Sequence, residues 1–397
     1  MGPEFATATL DRRRFLILAG GAAAYALLRP QLAWARRLDA AAVPLQPWRL
    51  PEALPAAPLE AARALIGAAV LAPSYLNSQP WRFEVDGGEI RLLLDPARTL
   101  PLSDPDQRLA RLSLGAALEN LLVAARAWGQ QPAVRYLPWG AAAKPGGAQV
   151  VASVGWQPAE RPRDRLLFES LADRRTNPRH YDGRAVTMPN RALLLAQATD
   201  DVRVHWLEDR DDLQALADLV HDAVLARMDD ARGESERLAW VRFGGGEEER
   251  RGDGVTPEHL GLAGPARWFA GRVLPPGSRF HGWGEESFAK NQRDAVRSAG
   301  AAVLFATPRA AAGGGGDAAP VLAGQAYERF AILATSLGIA QQPLSAPIES
   351  ERHRALLARR FGAGNEEPML LVRVGHADPP DPTPRRAVAL VSTYRTS

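Results

Sequence analysis

Residues 72–83 read Ala-Pro-Ser-Tyr-Leu-Asn-Ser-Gln-Pro-Trp-Arg-Phe, a polar run between two more apolar segments. The residues before it, 59–71, are rich in Ala, Leu and Ile, which predicts a helix that begins at Pro58 and ends near Pro73. The residues after it alternate in polarity around an Asp-Gly-Gly turn, which predicts a β-hairpin over 82–94. The polar run is therefore predicted to be a loop that joins a helix to a hairpin.

Three side chains of this loop, Ser74, Asn77 and Gln79, combine hydrogen-bond donors with acceptors. Such side chains suit a ligand whose edge presents both kinds of group. A helix end followed by a proline turn would account for the same residues without any ligand. The choice between these two interpretations depends on the rest of the chain.

Three further kinds of segment stand out: arginine-rich runs, the segment between them, and an apolar run. Arg174-Arg175-Thr176-Asn177-Pro178-Arg179 and Pro384-Arg385-Arg386 concentrate guanidinium groups, which bind phosphate through paired charge-assisted hydrogen bonds. The segment Gly338–Ser345 lies between them. The apolar run Met369–Gly375 predicts a buried strand.

Taken in this order, the segments resemble the nitroreductase superfamily. The run Asp104-Pro105-Asp106-Gln107-Arg108 before a long apolar helix resembles its Acg-like branch. The resemblance covers most of residues 59–390. It implies an α+β fold of two head-to-tail related halves, with antiparallel or mixed sheets flanked by helices, and it implies an FMN cofactor.

The resemblance also implies roles for individual residues. It assigns the flavin's pyrimidine edge and ribityl chain to Ser74, Asn77 and Gln79, and the phosphate to Arg174, Arg175, Arg385 and Arg386. Thr176 is assigned to the ribityl chain or the phosphate, and the surroundings of flavin N5 to Gln342, Pro343 and Ser345. Pro80, Trp81 and Leu344 are also expected to contact the cofactor. The family usually has a basic residue where Pro178 stands, and Arg179 is expected to replace it. No side chain is assigned to the chemistry itself, which the cofactor carries.

An internal repeat accompanies the resemblance. Residues Gly115–Gly129 align without gaps on Gly324–Gly338 and match at both glycines and at Glu119 and Glu328. A match of this length also arises by chance between two core helices. In ordinary nitroreductases, however, two subunits share each flavin, and here the loop lies in the first half and the arginines in the second. The interpretation is a monomeric fused pseudo-dimer with one complete FMN site between its halves and a second site lost.

The N-terminus resembles a twin-arginine export signal. An arginine triplet at 12–14 precedes the apolar stretch 17–28, and Ala-Trp-Ala at 33–35 offers a cleavage site. The apolar stretch is short for a membrane span, and a buried helix is the alternative interpretation. The expectation is export of the folded protein to the periplasm by the twin-arginine machinery, with membrane anchoring if the signal is retained.

The predicted organisation follows from these marks: a signal peptide over 1–40, a Pro-rich arm over 41–58, a first half over 59–160 and a second half over 161–397. The second half is longer than the motif spacing requires, so an insertion is expected at about 215–300. It combines a helical pattern at Leu213–Met228 with the aromatic residues Trp268, Phe269, Phe280, Trp283 and Phe288. The resemblance implies a lid over the flavin, and a satellite core is the alternative.

Composition excludes several other classes. The chain has no cysteine, which rules out a disulfide framework, a thiolate metal site and a thiol nucleophile. Its seven histidines show no paired metal-ligand spacing, so no metal is expected. The net charge of +3 is too small to indicate nucleic-acid binding.

The predicted function is that of a periplasmic FMN-dependent oxidoreductase, which transfers two electrons to or from a small conjugated molecule such as a nitroaromatic or a quinone. Its electron donor is open between NAD(P)H and a quinol or redox protein, because the periplasm lacks a nicotinamide pool. The alternative is a protein that holds FMN under a closed lid without turnover. A relative that has lost FMN is a third possibility, because of Pro178.

Overall fold

The computed structural model of the 397-residue chain describes residues 48–137, 149–243, 250–262, 270, 281–309 and 318–395. The predicted signal peptide and the predicted arm up to residue 47 lie outside the described residues. So do Trp268, Phe269 and Phe280 of the predicted insertion, and the side chain of Trp283. Within the described ranges, no helix combines the length and the apolarity needed to cross a membrane.

A five-stranded mixed sheet is formed mainly by the first part of the chain. Its strands are β1 (Trp81–Asp86), β2 (Glu89–Leu94), β3 (Gln130–Tyr136), β4 (Gln149–Pro158) and β9 (Ser392–Arg395), in the order β3-β4-β2-β1-β9. Strands β1 and β2 form the predicted hairpin, which is thereby confirmed. Alternate side chains of β1, such as Phe83 and Val85, are buried because successive residues face opposite sides of a strand.

The second sheet has four antiparallel strands. They are β5 (Arg203–Leu207), β6 (Ala301–Pro308), β7 (Ala340–Leu344) and β8 (Glu366–Gly375), in the order β5-β6-β8-β7. The central strands β6 and β8 are apolar along most of their length because helices cover both of their faces. Strand β8 confirms the buried strand that the sequence predicts at 369–375.

In the described parts of the chain, eleven α-helices flank the two sheets. They are α1 (Pro58–Ala69), α2 (Arg108–Ala127), α3 (Arg165–Leu171), α4 (Met188–Leu195), α5 (Arg210–Met228), α6 (Ala231–Leu238), α7 (His281–Arg297), α8 (Ala319–Ser336), α9 (Ala346–Glu349), α10 (Glu351–Arg360) and α11 (Val388–Val391). Helices α1 and α5 confirm the predicted helices at 59–71 and 213–228. The predicted α+β class, with mixed and antiparallel sheets between helices, is confirmed.

Helices α2 and α8 cross at the centre of the molecule. A Cβ atom placed on Gly115 or on Gly324 would lie 2.0 Å from a carbonyl oxygen of the facing helix. Only glycine allows two backbones to approach this closely. Both helices are followed by a glycine with a left-handed backbone, Gly129 (φ 73°) and Gly338 (φ 69°). The four glycines are the ends of the two aligned repeat segments, so the repeat coincides with the central helix pair.

The C-terminal segment returns from the second sheet to the first. The guanidinium of Arg385 donates to the carbonyl oxygen of Leu71 (3.1 Å), and the backbone N–H of Arg386 donates to Gln79 Oε1 (2.9 Å). Strand β9 then pairs in parallel with β1. This return brings C-terminal residues of the described chain to the loop at 72–83.

The crossing generates a stability prediction. Gly115→Ala and Gly324→Ala should each lower the free energy of unfolding by about 3 kcal/mol, because the added methyl group collides with a backbone carbonyl that cannot move alone. Chemical denaturation measures this loss. The matched control is Gly67→Ala in helix α1, where the nearest atom lies 4.0 Å away. This change should stabilise by about 0.5 kcal/mol, and equal effects at all three positions would contradict the proposed role of the crossing.

Candidate functional site

A cavity of about 240 Å³ lies between the loop that follows α1, the segment before Pro178, the end of β7 and the returning C-terminal segment. Ten of the residues that the resemblance assigns to the cofactor line its wall: Ser74, Asn77, Arg174, Arg175, Thr176, Gln342, Pro343, Leu344, Ser345 and Arg385. The fold therefore brings together residues that are more than 300 positions apart in the sequence.

Asn77 is the junction of the loop with two distant segments. Its Nδ2 donates to the carbonyl oxygens of Gly254 (3.0 Å) and Pro384 (3.1 Å), and its Oδ1 accepts from Arg385 (3.2 Å). The backbone of Asn77 is left-handed (φ 51°), as is that of Leu76. Non-glycine residues adopt this conformation at an energetic cost and are enriched at functional sites. The side-chain hydrogen bonds hold the strained loop in place.

Gln79, Pro80 and Trp81 lie outside the cavity wall. Gln79 Nε2 donates to the carbonyl oxygen of Gly252 (2.7 Å), while its Oε1 accepts from the backbone of Arg386. Trp81 is fully buried in the core under the first sheet. These side chains tie the loop to its neighbours, and none of them faces the cavity to which the resemblance assigned it.

Three arginines meet at one end of the cavity. Arg174 Nε lies 3.1 Å from Glu328 Oε1, and both side chains are almost fully buried. The guanidinium groups of Arg175 and Arg385 lie 4.3 and 5.2 Å from the ring centre of Trp48. The described wall at this end thus gathers three cations, with Glu328 beside Arg174 and Asp381 also in the wall near Arg175.

The electrostatics of this end favour an anion. Burial, and then repulsion from Arg174, lower the pKa of Arg175 to about 10, while Asp173 and Asp381 oppose this shift. Burial, and then repulsion from Arg174 and Arg175, lower the pKa of Arg385 well below its usual range. Burial also raises the pKa of Glu328 to about 8, so this carboxyl compensates the cations only in part near neutral pH.

Hydrogen-bond donors without partners also favour an anion at this end of the cavity. Arg174 Nη1 and Arg385 Nε are buried without a hydrogen-bond partner. A buried donor without a partner costs free energy, which an acceptor oxygen would recover. A phosphate brings several acceptor oxygens and negative charge at once, so the residues present fit such a group.

Arg179 and Arg386 do not reach the cavity wall. Arg179 is exposed and its guanidinium donates to the carbonyl oxygens of Asp378 and Pro379 (3.3 and 3.4 Å). The Arg386 side chain donates to the carbonyl oxygen of Leu390 (3.1 Å). The position after Pro178 therefore does not supply the expected basic group to this cavity.

Sequence reasoning missed Arg373, which orients part of the wall. This arginine is fully buried, and its Nε donates to Gln342 Oε1 (2.7 Å) while its guanidinium stacks 3.9 Å from the ring centre of Tyr181. Its remaining donors meet carbonyl oxygens, including that of Arg179 (2.8 Å). The available signal was a single charged residue within the apolar run 369–375.

A second group of missed residues lies elsewhere along the wall. Tyr75, Arg227, Glu234 and Arg237 line the cavity, and Glu349 lies behind Tyr75. Tyr75 and Glu349 are 274 positions apart, and no motif or spacing in the sequence connects them.

Asp253 fastens residues 240–243 and 250–254 beside the loop, and these described residues are called segment 240–254 below. Its two carboxylate oxygens accept hydrogen bonds from Arg98 (2.6 Å) and Arg242 (2.7 Å). The Arg98 guanidinium also lies 4.9 Å from the ring centre of Trp240. Together with the hydrogen bonds that Asn77 and Gln79 make to Gly254 and Gly252, these contacts hold this segment of the predicted insertion against the cavity loop.

The chain is similar to known proteins over most of its length. The chain is 32% identical over 343 residues to the Mycobacterium tuberculosis protein Rv3131, named as a candidate NAD(P)H nitroreductase, and the match covers 84% of this chain and 91% of that protein. The chain belongs to the nitroreductase family. It is also 32% identical over 117 residues to the acg protein of the same organism, which covers 29% of this chain and 34% of that protein.

No family model matches the sequence. Among solved structures, the chain is similar to an FMN-dependent nitroreductase, NfnB from Mycobacterium smegmatis in complex with NADPH, with 14% identity and a TM-score of 0.31. That similarity covers 58% of this chain and 94% of the solved one.

Apolar side chains form the middle of the cavity wall in this family member. They include Leu109, Leu112, Val220, Val224, Met228, Leu238, Phe288 and Leu370. Phe288 belongs to the aromatic residues of the predicted insertion. It lines the cavity and also belongs to a buried apolar cluster with helix α5, so its place fits the predicted lid and the alternative satellite core alike. An apolar wall with polar groups at its ends is typical of small-molecule sites.

The attachment of segment 240–254 generates a prediction about pH. Burial raises the pKa of Asp253, but the hydrogen bonds from Arg98 and Arg242 outweigh this effect and hold the pKa below its ordinary value. Stability from a depressed carboxyl pKa is present above the unfolded-state pKa and is lost as the pH falls through the folded-state pKa. We expect hydrogen exchange of segment 240–254, corrected for its intrinsic rate, to accelerate below about pH 4.

Asp253→Asn should remove this pH dependence and lower the free energy of opening by about 2 kcal/mol at neutral pH. Asp182→Asn is the matched control, because Asp182 pairs with Arg184 on the exposed surface. An unchanged exchange pattern in Asp253→Asn would show that the carboxylate does not hold the segment.

Proposed function

We propose that this protein is an FMN-dependent oxidoreductase that transfers two electrons to or from a small conjugated molecule, a nitroaromatic or a quinone. The observation that carries the proposal is the gathering of Arg174, Arg175 and Arg385 at one end of a mostly apolar cavity. The cations outnumber the two nearby carboxyl groups, Glu328 and Asp381. Family membership and the names of the relatives support it.

The residues that would hold FMN divide into two groups. Arg174, Arg175 and Arg385 would bind the phosphate, and the segment Gln342–Ser345 together with the apolar wall would contact the ring system. FMN, when bound, supplies the two-electron chemistry. The protein contributes orientation, exclusion of water by the apolar wall, and a fixed position for Gln342 through its hydrogen bond from Arg373.

We propose one FMN site per monomeric chain, as in a fused pseudo-dimer that has lost its second site. Glu328 and Glu119 occupy equivalent positions of the repeat. Around Glu119 the cations Arg126 and Arg329 are balanced by Asp164, whose oxygens lie 3.3 and 2.8 Å from the two arginines. Two cations and two carboxylates leave no excess positive charge, which makes this position unsuited to a phosphate.

The proposed location is the periplasm, reached through the twin-arginine machinery. This proposal is supported by the arginine triplet, the apolar stretch and the small-residue site in residues 10–35. We propose a nicotinamide as the electron donor, because the names of the relatives include NAD(P)H or NADPH. The alternative is a quinol or a redox protein, because the periplasm lacks a nicotinamide pool.

Sequestration of FMN without turnover is the second candidate function. It is favoured by the contacts of Asp253, Asn77 and Gln79, which fasten segment 240–254 against the cavity loop. The two candidates differ in how the bound flavin responds to a reductant. Rapid bleaching by NADPH supports the oxidoreductase, whereas a yellow protein inert to NADPH and to dithionite supports sequestration.

The cofactor proposal predicts a stoichiometry. Purified protein should show a flavin spectrum, and the released flavin should be FMN at about one molecule per chain. Two FMN per chain would contradict the loss of the second site. A colourless protein that also fails to bind added FMN would contradict the proposed function.

The arginine cluster predicts selectivity for the phosphate. Arg174→Gln and Arg385→Gln should each weaken FMN binding by about 10- to 100-fold and leave riboflavin binding nearly unchanged, because each removes charged hydrogen bonds to the phosphate. Fluorescence titration of the apoprotein with both flavins measures this difference. Arg386→Gln is the control, since its side chain lies outside the cavity wall. Equal losses for FMN and riboflavin would indicate misfolding rather than phosphate recognition.

A further inference from the structure

Away from the arginine cluster, the cavity wall contains a second set of polar residues, in which carboxylates balance the arginines. Tyr75 donates its hydroxyl hydrogen to Glu349 Oε1 (2.9 Å). Arg237 pairs closely with Glu234 (2.9 Å), whereas Arg227 approaches Glu349 only to 3.6 Å. We call these five residues the acidic-end cluster, and all but Glu349 line the cavity.

The charges of this cluster differ from those at the arginine end. Its two arginines face two carboxylates, so it carries no excess positive charge. A third carboxyl, Asp104, lies close enough to interact with Glu349. Burial, with a smaller contribution from Glu349, raises the pKa of Asp104 to about 6, so it is mostly ionised at neutral pH and makes the surroundings negative.

Arg227 nevertheless has donor capacity left for a ligand. The residue lines the cavity, and its guanidinium approaches Glu349 only to 3.6 Å, which is beyond hydrogen-bond distance. An uncharged acceptor oxygen would satisfy this donor without adding charge. A carboxylate would reach the same donor but would be buried beside Glu234 and Glu349, where an additional negative charge has no partner.

We propose that the acidic-end cluster selects uncharged conjugated substrates, whose carbonyl or nitro oxygen accepts a hydrogen bond from Arg227, and rejects the corresponding carboxylates. The inference deepens the proposed function, because it assumes that the substrate shares this cavity with FMN. Recognition itself needs no electron transfer and is measurable without turnover.

The experiment uses two probes of equal shape and different charge, 4-nitrobenzamide and 4-nitrobenzoate. Their binding is measured by calorimetry on the FMN-loaded protein, in which FMN occupies the arginine end. No reductant is added, so no turnover takes place. The wild-type protein should bind the amide at least about tenfold more tightly than the carboxylate. Equal affinity, or tighter binding of the carboxylate, would overturn the inference.

Two variants test the charge argument. Glu349→Gln removes one negative charge with little change of shape, and should reduce the preference for the amide by about tenfold. Arg227→Gln removes the donor, and should weaken amide binding by about tenfold while carboxylate binding stays weak. Glu234→Gln makes the same change of charge as Glu349→Gln and should shift the preference in the same direction, so the test survives if one variant does not fold.

Tyr75→Phe is the matched control within the cluster. It removes a hydroxyl group but no charge, so the preference for the amide should persist within about threefold. A preference that changes equally in Tyr75→Phe and Glu349→Gln would show that shape, not charge, selects the probes. The outcome is separable from the proposed function: a yellow protein without charge discrimination overturns this inference alone, and a protein without FMN overturns the function.

Discussion

The crossing of α2 and α8 is the contact on which the rest of the molecule depends. Gly115 and Gly324 let each helix touch a carbonyl oxygen of the other. Glycine inside a helix costs about 1 kcal/mol of helix stability, and close packing of two long apolar helices offsets this cost. The core on one side of the pair packs against the first sheet and the core on the other side against the second.

The same helix pair carries two equivalent carboxyl groups, and their surroundings differ in charge. Glu119 meets Arg126 and Arg329, which are themselves balanced by Asp164. Glu328 meets arginines that come from outside the helix pair. The framework is therefore repeated while the electrostatics are not, and a few charges distinguish the proposed phosphate site from the ion-pair network around Glu119.

The cavity loop at 72–83 both lines the cavity and joins distant segments of the chain. Asn77 lines the cavity and also ties together the C-terminal segment and segment 240–254. Gln79 joins the distant segments but does not line the cavity. A segment that resembles a cofactor-binding motif thus also fastens the chain around the site, so changes in the loop would alter binding and closure together.

Local patterns in the sequence were enough to predict the helix at α1, the hairpin of β1 and β2, and the buried strand in β8, because each depends on neighbours within a few residues. The motifs that resemble the nitroreductase family were also enough to predict that Asn77, Arg174 and Arg385 would meet. The directions of individual side chains were not predictable. Gln79 and Arg386 bind each other instead of facing the cavity, because the returning C-terminal segment brings them together.

The sequence by itself determined the fold class, the central repeat and most of the arginine cluster, because these follow from periodicity and from linear motifs. Only the tertiary structure decided which arginines reach the cavity, that Arg373 orients Gln342, and that Tyr75, Arg227 and Glu349 form one polar cluster. The physical reason is the same in each case. Burial and pairing of charges depend on contacts between residues far apart in the chain, and such contacts leave no local pattern in the sequence.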